Sequence, residues 1–275
     1  MLRLVLVKVC YNREYLGVCI MREFFGFGGY ERPAEGYLSW QHLLFVSFLM
    51  ITMICLAIIF GLRNRNKDEK VKNMVLIWAA LLIDGFELLK IILLCFRSQD
   101  PLNWLYELPL FLCSIQLITI PLAAFAKGKV KDAALDFVLI FGILGAVLGT
   151  YGAGNNYGSY PVLSFDNVVS GITHSISGFS SLYIAISGLA SMKKSNIPIC
   201  YGILAGFCVA AYIANLTLDY NYMFLMRGDG TPYDIFYNLV NGSKVLYPLI
   251  VVFLFFVYIS IFYYICFLVK NRKQK

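Results

Sequence analysis

Residues 167–192 read NVVSGITHSISGFSSLYIAISGLASM, a run without Asp, Glu, Lys or Arg. It exceeds the ~20 residues that an α-helix needs to cross the ~30 Å hydrocarbon core of a bilayer. Lipid offers the backbone no hydrogen-bond partners, so a spanning segment of this kind must be helical. His174, one of only two histidines in the chain, sits about seven residues inside the run. An imidazole at that depth needs a reason, either a functional role or a hydrogen bond to a neighbouring helix.

The rest of the chain belongs to the same environment. Of its 275 residues, 60% are hydrophobic and 14% charged, and mean hydropathy is +0.72. A soluble domain carries roughly a quarter charged residues, so lipid is the solvent for most of this chain. Further apolar segments lie at about 42–62, 105–126, 134–156, 197–218 and 245–269, and a charged one at 73–96 contains Asp84, Glu87 and Lys90. The expected architecture is all-α, a polytopic transmembrane bundle of about seven helices with spans at 42–62, 73–96, 105–126, 134–156, 168–191, 197–218 and 245–269. Residues 1–39 form an expected interfacial or extracytoplasmic arm, 40–270 the transmembrane domain and 271–275 a basic cytoplasmic tail. The start of the arm resembles a signal peptide, but Lys8 interrupts its apolar stretch and no clear small-residue cleavage site follows.

Basic residues set the orientation. The connections after the first, third and fifth spans and the tail contain five, three, two and four Lys/Arg, against Arg97, Arg227 and Lys244 on the opposite side. The arm adds five to that poorer side, of which only Arg22 and Arg32 lie near the first span. The C-terminus is therefore expected in the cytoplasm and the N-terminus outside. The net charge of +7 reflects these flanks, so nucleic acid is not an expected partner. The eight cysteines (10, 19, 55, 95, 113, 200, 208 and 266) show no CxxC and no zinc spacing. No metal or cofactor is expected.

Orientation brings scattered polar residues to one level. At 1.5 Å per residue, Cys113 in the third span lies ~12 Å below the outer boundary, His174 ~9 Å and Glu87 ~14 Å. A thiol beside an imidazole is the minimal set for nucleophilic catalysis. Asn215 and Asp219 end the sixth span on the same side, followed by Asn221, Arg227 and Asp229 in a connection too long for a simple turn. Glu87, Asn215, Asp219, Asn221 and Arg227 are thus the expected substrate-binding residues, with an oxyanion donor from Asn215 or Asn221. Taken singly, each residue has a plainer reading: packing for Cys113, structural hydrogen bonding for His174, and an ion pair for Asp84, Glu87 and Lys90, which share a helical face. The spacing of Gly142, Gly145 and Gly149 points to close helix packing rather than chemistry.

The segment ELPLFLCS (107–114), the triplet Thr173-His174-Ser175, NLTLDYNYMFL (215–225), Pro232 and Tyr247-Pro248 together resemble the YwaF-like family of bacterial integral membrane proteins. That family is related to a eukaryotic TMEM ether-lipid acyltransferase. The resemblance covers about residues 25–265. It implies a seven-helix, multi-pass protein of a bacterial plasma membrane. By its eukaryotic branch it also implies cysteine-dependent transfer of acyl chains between phospholipids and lysophospholipids, with Cys113 and His174 at the catalytic positions. In one place the chain departs: many relatives carry histidine two residues before the cysteine, where Phe111 stands here.

Three readings follow. In an acyltransferase or lipid hydrolase, Cys113 attacks an ester carbonyl after His174 takes its proton. In a small-solute or proton transporter, Asp84, Glu87, Lys90 and His174 line the path, although no inverted repeat supports that reading. A non-catalytic membrane protein that keeps the pocket is the third.

Overall fold

The computed structural model describes residues 21–190 and 192–273, so the first half of the arm, with Cys10, Cys19 and the signal-like stretch, and the end of the basic tail lie outside the described residues. Among the described residues the chain is helical, with no strands.

Helix α1, Trp40–Asn64, starts where the Ser39 hydroxyl accepts the His42 amide at 3.2 Å. Its buried residues Val46, Met50, Met53, Ala57 and Gly61 recur every three or four positions, while Phe48 and Ile51 face outward. Helix α2, Glu69–Ser98, follows, then a short 3-10 turn at Asn103–Tyr106. Next come α3, Gln116–Phe125, and α4, Gly128–Thr150. A single-turn helix α5, Gly154–Ser159, leads to α6, Phe165–Ser187, capped by the Ser164 hydroxyl and ended by Gly188 in the left-handed conformation. Helix α7, Ile197–Leu218, short α8, Asp234–Leu239, and α9, Leu246–Lys273, complete the chain.

Four helical stretches, Trp40–Asn64, Gly128–Ser159, Lys194–Leu218 and Leu246–Arg272, are long and apolar enough to cross a membrane. Helices α2 and α6 match them in length but not in apolarity. The first carries Asp84, Glu87 and Lys90, and the second has six serines. The stretch expected as a third span, 105–126, is not one helix. Pro109 has no amide hydrogen and disfavours a helical Leu108. The chain instead makes a tight Leu108 to Leu110 turn and becomes helical only at Gln116. The expected count of seven continuous helices therefore gives way to a bundle in which one element is broken where ELPLFLCS lies.

Helices α4 and α6 form the centre. The Ser177 and Ser181 hydroxyls donate to the carbonyls of Gly142 and Leu139 on α4, at 3.2 and 2.8 Å. A Cβ on Gly142 would lie 2.7 Å from the Ser177 carbonyl oxygen, so only glycine permits this crossing. On the far side of α6, Gly171 and Gly178 admit Leu49 and Met53 of α1. Apolar contact between helices gains little over contact with lipid, and such small-residue crossings with interhelical hydrogen bonds are what hold membrane bundles together. One core joins α2, α3, α4 and α6 through Leu76, Ile83, Ile120, Val138 and Ile184. A second joins α4, α7 and α9 through Phe137, Phe141, Leu204, Val251 and Ile259.

Residues 21–39 cross the ends of α2, α4 and α6. Arg97, at the end of α2, makes a two-pronged pair with Asp166 at 2.6 and 2.9 Å, and the Tyr30 hydroxyl donates to the same carboxylate at 2.5 Å. Burial, with the neighbouring Asp166 carboxylate, pushes the Tyr30 hydroxyl up, so it remains a donor at neutral pH. The second histidine, His42, is fully buried. Its Nδ1 accepts the Leu38 amide at 3.1 Å and its Nε2 lies 3.1 Å from the Thr150 carbonyl, which fixes the tautomer with hydrogen on Nε2.

Candidate functional site

Helices α2 and α3 run antiparallel, as three levels of contact show. Lys90 of α2 meets Glu107, Asp84 lies beside Leu117 and Pro121, and the Asn73 amide donates to the Ala124 carbonyl at 2.7 Å. The segment between Glu107 and Gln116 is shaped by Ser114, whose hydroxyl accepts the Phe111 amide at 3.0 Å and donates to the Phe111 carbonyl at 3.1 Å. That turn delivers Cys113 three residues before the first residue of α3. The amides of Cys113 and Ser114 approach the Cys113 sulfur and have no other acceptor among the described residues. Unpaired amides at a helix start favour negative charge, on a thiolate or on an oxyanion formed beside it.

The two expected catalytic residues are seated on one face of α4. A Cβ added to Gly145 would lie 3.3 Å from both Cα and Cβ of Cys113. One added to Gly149 would overlap Cε1, Nδ1 and Nε2 of His174, so the ring lies directly on that glycine. Positions four apart share a helical face one turn apart, about 5–6 Å between Cβ atoms. Cys113 and His174 thus sit against positions one turn apart on α4, and no hydrogen bond joins them among the described residues. Both are half-buried residues within the bundle.

Lys90 supplies the charge of the site. Its ammonium pairs with Glu87 at 2.8 Å and with Glu107 at 2.9 Å, and all three side chains are largely shielded, Lys90 being 16% exposed. The ammonium lies within electrostatic reach of both the Cys113 thiol and the His174 ring, and Glu87 within reach of the thiol. Glu87, Cys113 and His174, matched in depth by counting residues, are therefore brought together.

The remaining expected binding residues lie at the end of α7 and in the connection to α8, where the side chains of Asn215, Asn221 and Arg227 are engaged. The Asn215 side chain donates to the Tyr222 carbonyl at 3.0 Å and accepts the Tyr222 amide at 2.6 Å. Asn221 donates to the Arg227 carbonyl and to Asp229, both at 2.8 Å, and accepts the Met226 amide. Asp219 closes α7 in the left-handed conformation, and Arg227 pairs with Asp229 at 2.7 Å on an exposed edge. These residues shape a loop whose rings cover the cysteine turn: Phe111 packs on Tyr220, Tyr222 and Phe224, and the Tyr222 hydroxyl donates to the Leu105 carbonyl. Phe111 is an aromatic packing residue here. Met223 and Phe224 hold successive left-handed conformations, φ 55° and 56°, a strain that the packing around them must offset.

A family model described as the TMEM164 family matches residues 37–265. The chain belongs to the TMEM164 family. The matched span includes every element of the site, from α1 to the middle of α9. No curated protein and no solved structure matches the chain.

Residue counting overlooked two features that family membership alone does not supply either. Glu107 is the second counterion of Lys90; the signal was a buried lysine facing two acidic candidates at its own level. Gly145 and Gly149, read as packing glycines, are the seats of the thiol and the ring. Among the described residues no group of three or more His, Cys, Asp or Glu side chains is placed to hold a metal ion.

Proposed function

We propose that this membrane protein transfers acyl chains between phospholipids and lysophospholipids through Cys113 and His174. The observation that carries the reading is the shared seat of the two side chains on Gly145 and Gly149. In the first step His174 accepts the thiol proton and the sulfur attacks the ester carbonyl. The resulting oxyanion is met by the amides of Cys113 and Ser114, since the side-chain amides of Asn215 and Asn221 are engaged within their loop. The tetrahedral intermediate expels the lysolipid alkoxide, which takes the proton from His174 and leaves a thioester. An incoming lysolipid hydroxyl, deprotonated by His174, attacks the thioester; its ester forms, the C–S bond breaks and the proton returns to the thiol. Water in place of the lysolipid gives hydrolysis.

The same proposal holds that the chain crosses the membrane seven times, the third crossing being the broken element that carries Cys113. The N-terminus is outside and the cleft opens toward the outer leaflet of a bacterial plasma membrane, in the YwaF-like branch. The distribution of Lys and Arg supports this orientation. In proteoliposomes, chain-labelled phospholipid and unlabelled lysophospholipid should exchange label with the wild-type protein. Exchange should fall to background in Cys113→Ala and about 10²- to 10⁴-fold in His174→Ala, the usual worth of a general base. Exchange undiminished in both variants would overturn the reading.

A second reading draws on the Lys90, Glu87 and Glu107 cluster, which a proton or solute carrier would use. Solute flux that collapses in Glu87→Gln but survives Cys113→Ala would favour it over acyl transfer.

A further inference from the structure

Gln116, the first residue of α3, is completely buried, yet its Nε2 meets no acceptor among the described residues. A buried amide hydrogen without an acceptor is costly and uncommon, and an amide inside a membrane bundle normally bonds a neighbouring helix. Here only one end of the amide is held. Its Oε1 accepts the Thr119 hydroxyl at 3.1 Å, and that hydroxyl is itself anchored on the Ile115 carbonyl. The carbonyl end is therefore fixed and the donor end is left over.

The donor end belongs to the cysteine turn. The Ile115 amide donates to the Phe111 carbonyl at 3.0 Å, closing a helical turn around Cys113 that runs on into α3. Positions 113 and 116 are three apart on this path, so their side chains share a face, about 5–6 Å between Cβ atoms. Helical side chains lean toward the N-terminus, which carries the Gln116 amide back toward Cys113 rather than along α3. Gln116, Thr119, Ile120 and Ala123 form the buried face of α3, and Cys113 rests on Gly145 of α4.

We propose that Gln116 donates from Nε2 to the oxyanion that forms beside Cys113, as a third donor with the amides of Cys113 and Ser114. When the sulfur adds to an ester carbonyl, the C=O π pair moves onto oxygen and the Nε2 hydrogen bonds the charge; the pair returns as the alkoxide leaves. The assignment deepens the acyl-transfer reading and rests on it. It supplies the buried donor with an acceptor that exists only during reaction.

The test compares attack on a carbonyl with attack on a carbon where no oxyanion develops. Purified protein in proteoliposomes is treated with p-nitrophenyl acetate or with iodoacetamide, and the initial rate of Cys113 modification is followed by peptide mass spectrometry. Both reagents consume the same thiolate. The first passes through an oxyanion to a thioester and p-nitrophenolate, whereas the second loses iodide in a direct displacement. In Gln116→Met, acetylation should fall about 10²- to 10³-fold, the usual worth of one oxyanion donor, while alkylation stays at the wild-type rate. The unfolding temperature should not fall, because methionine fills the site without an unpaired donor. Thr119→Val keeps the glutamine but releases its carbonyl end, and should lower the ratio of acetylation to alkylation in the same direction. The Gln116→Met ratio decides, or the Thr119→Val ratio if the methionine variant does not fold. A ratio equal to wild type overturns the assignment; it would mean that the amide only packs, positions the thiol or holds a water. An unchanged ratio with undiminished lipid exchange would leave the acyl-transfer reading standing, whereas a wild-type Cys113 that the ester does not acetylate would defeat both.

Discussion

Gly149→Ala is expected to reduce acyl exchange about 10²- to 10⁴-fold, as much as removing the His174 imidazole itself. The added methyl would occupy the space of three ring atoms, so the ring must leave its seat and its reach toward Cys113. Stability should change much less. Alanine improves helix propensity over glycine by up to ~1 kcal/mol, which partly offsets the ~1–3 kcal/mol that overpacking costs. A variant that unfolds at nearly the wild-type temperature but exchanges no lipid is thus the expected outcome. Gly206→Ala on α7, where an added methyl meets nothing within 4 Å, is the control and should leave exchange unchanged. Full activity in Gly149→Ala would show that the ring position on α4 is unimportant.

Lys90→Met should destabilise the protein by about 3–5 kcal/mol, the cost of leaving buried charge without its partner. Glu87 and Glu107 each approach the ammonium within 3 Å and are 13% and 29% exposed, so water screens them poorly. Without the lysine they repel one another across a space of low dielectric. Lys90→Met combined with Glu87→Gln and Glu107→Gln should recover most of the loss, because the triple variant buries amides in place of unpaired charges. Unfolding of the three proteins, wild type, single and triple variant, by heat in one detergent checks both statements. A single variant as stable as wild type, or a triple variant no better than the single one, would contradict them.

How much of this was written in the sequence differs from residue to residue. The membrane environment was legible because apolar runs of spanning length have few other uses. Counting ~1.5 Å per residue placed Glu87, Cys113 and His174 at one level, but the count for Cys113 ran along 105–113, which is not an α-helix. The break in 105–126 was less so: Pro109 and Pro121 stood in plain view, but the absence of charge around them outweighed their backbone effect. Asn215 and Asn221 looked like ligand-binding amides because a sequence does not show the backbone demands of a loop. Their partners are amides and carbonyls that no side-chain pattern records. Asp136, which the sequence reading passed over, is fully buried and accepts from the Met192 amide, the Asn196 side chain and the Tyr263 hydroxyl. Those donors come from 56, 60 and 127 residues away. Such pairings depend on tertiary contact, which a linear reading does not reach.

The catalytic claim rests on a covalent bond to one sulfur, and intact-protein mass spectrometry during lipid exchange detects that bond directly. A fraction of the wild-type protein should carry added mass equal to the donor's acyl chain, located on Cys113, released by hydroxylamine as a thioester is, and absent in Cys113→Ala. Exchange that proceeds with no adduct on Cys113, and at full rate in Cys113→Ala, would contradict it.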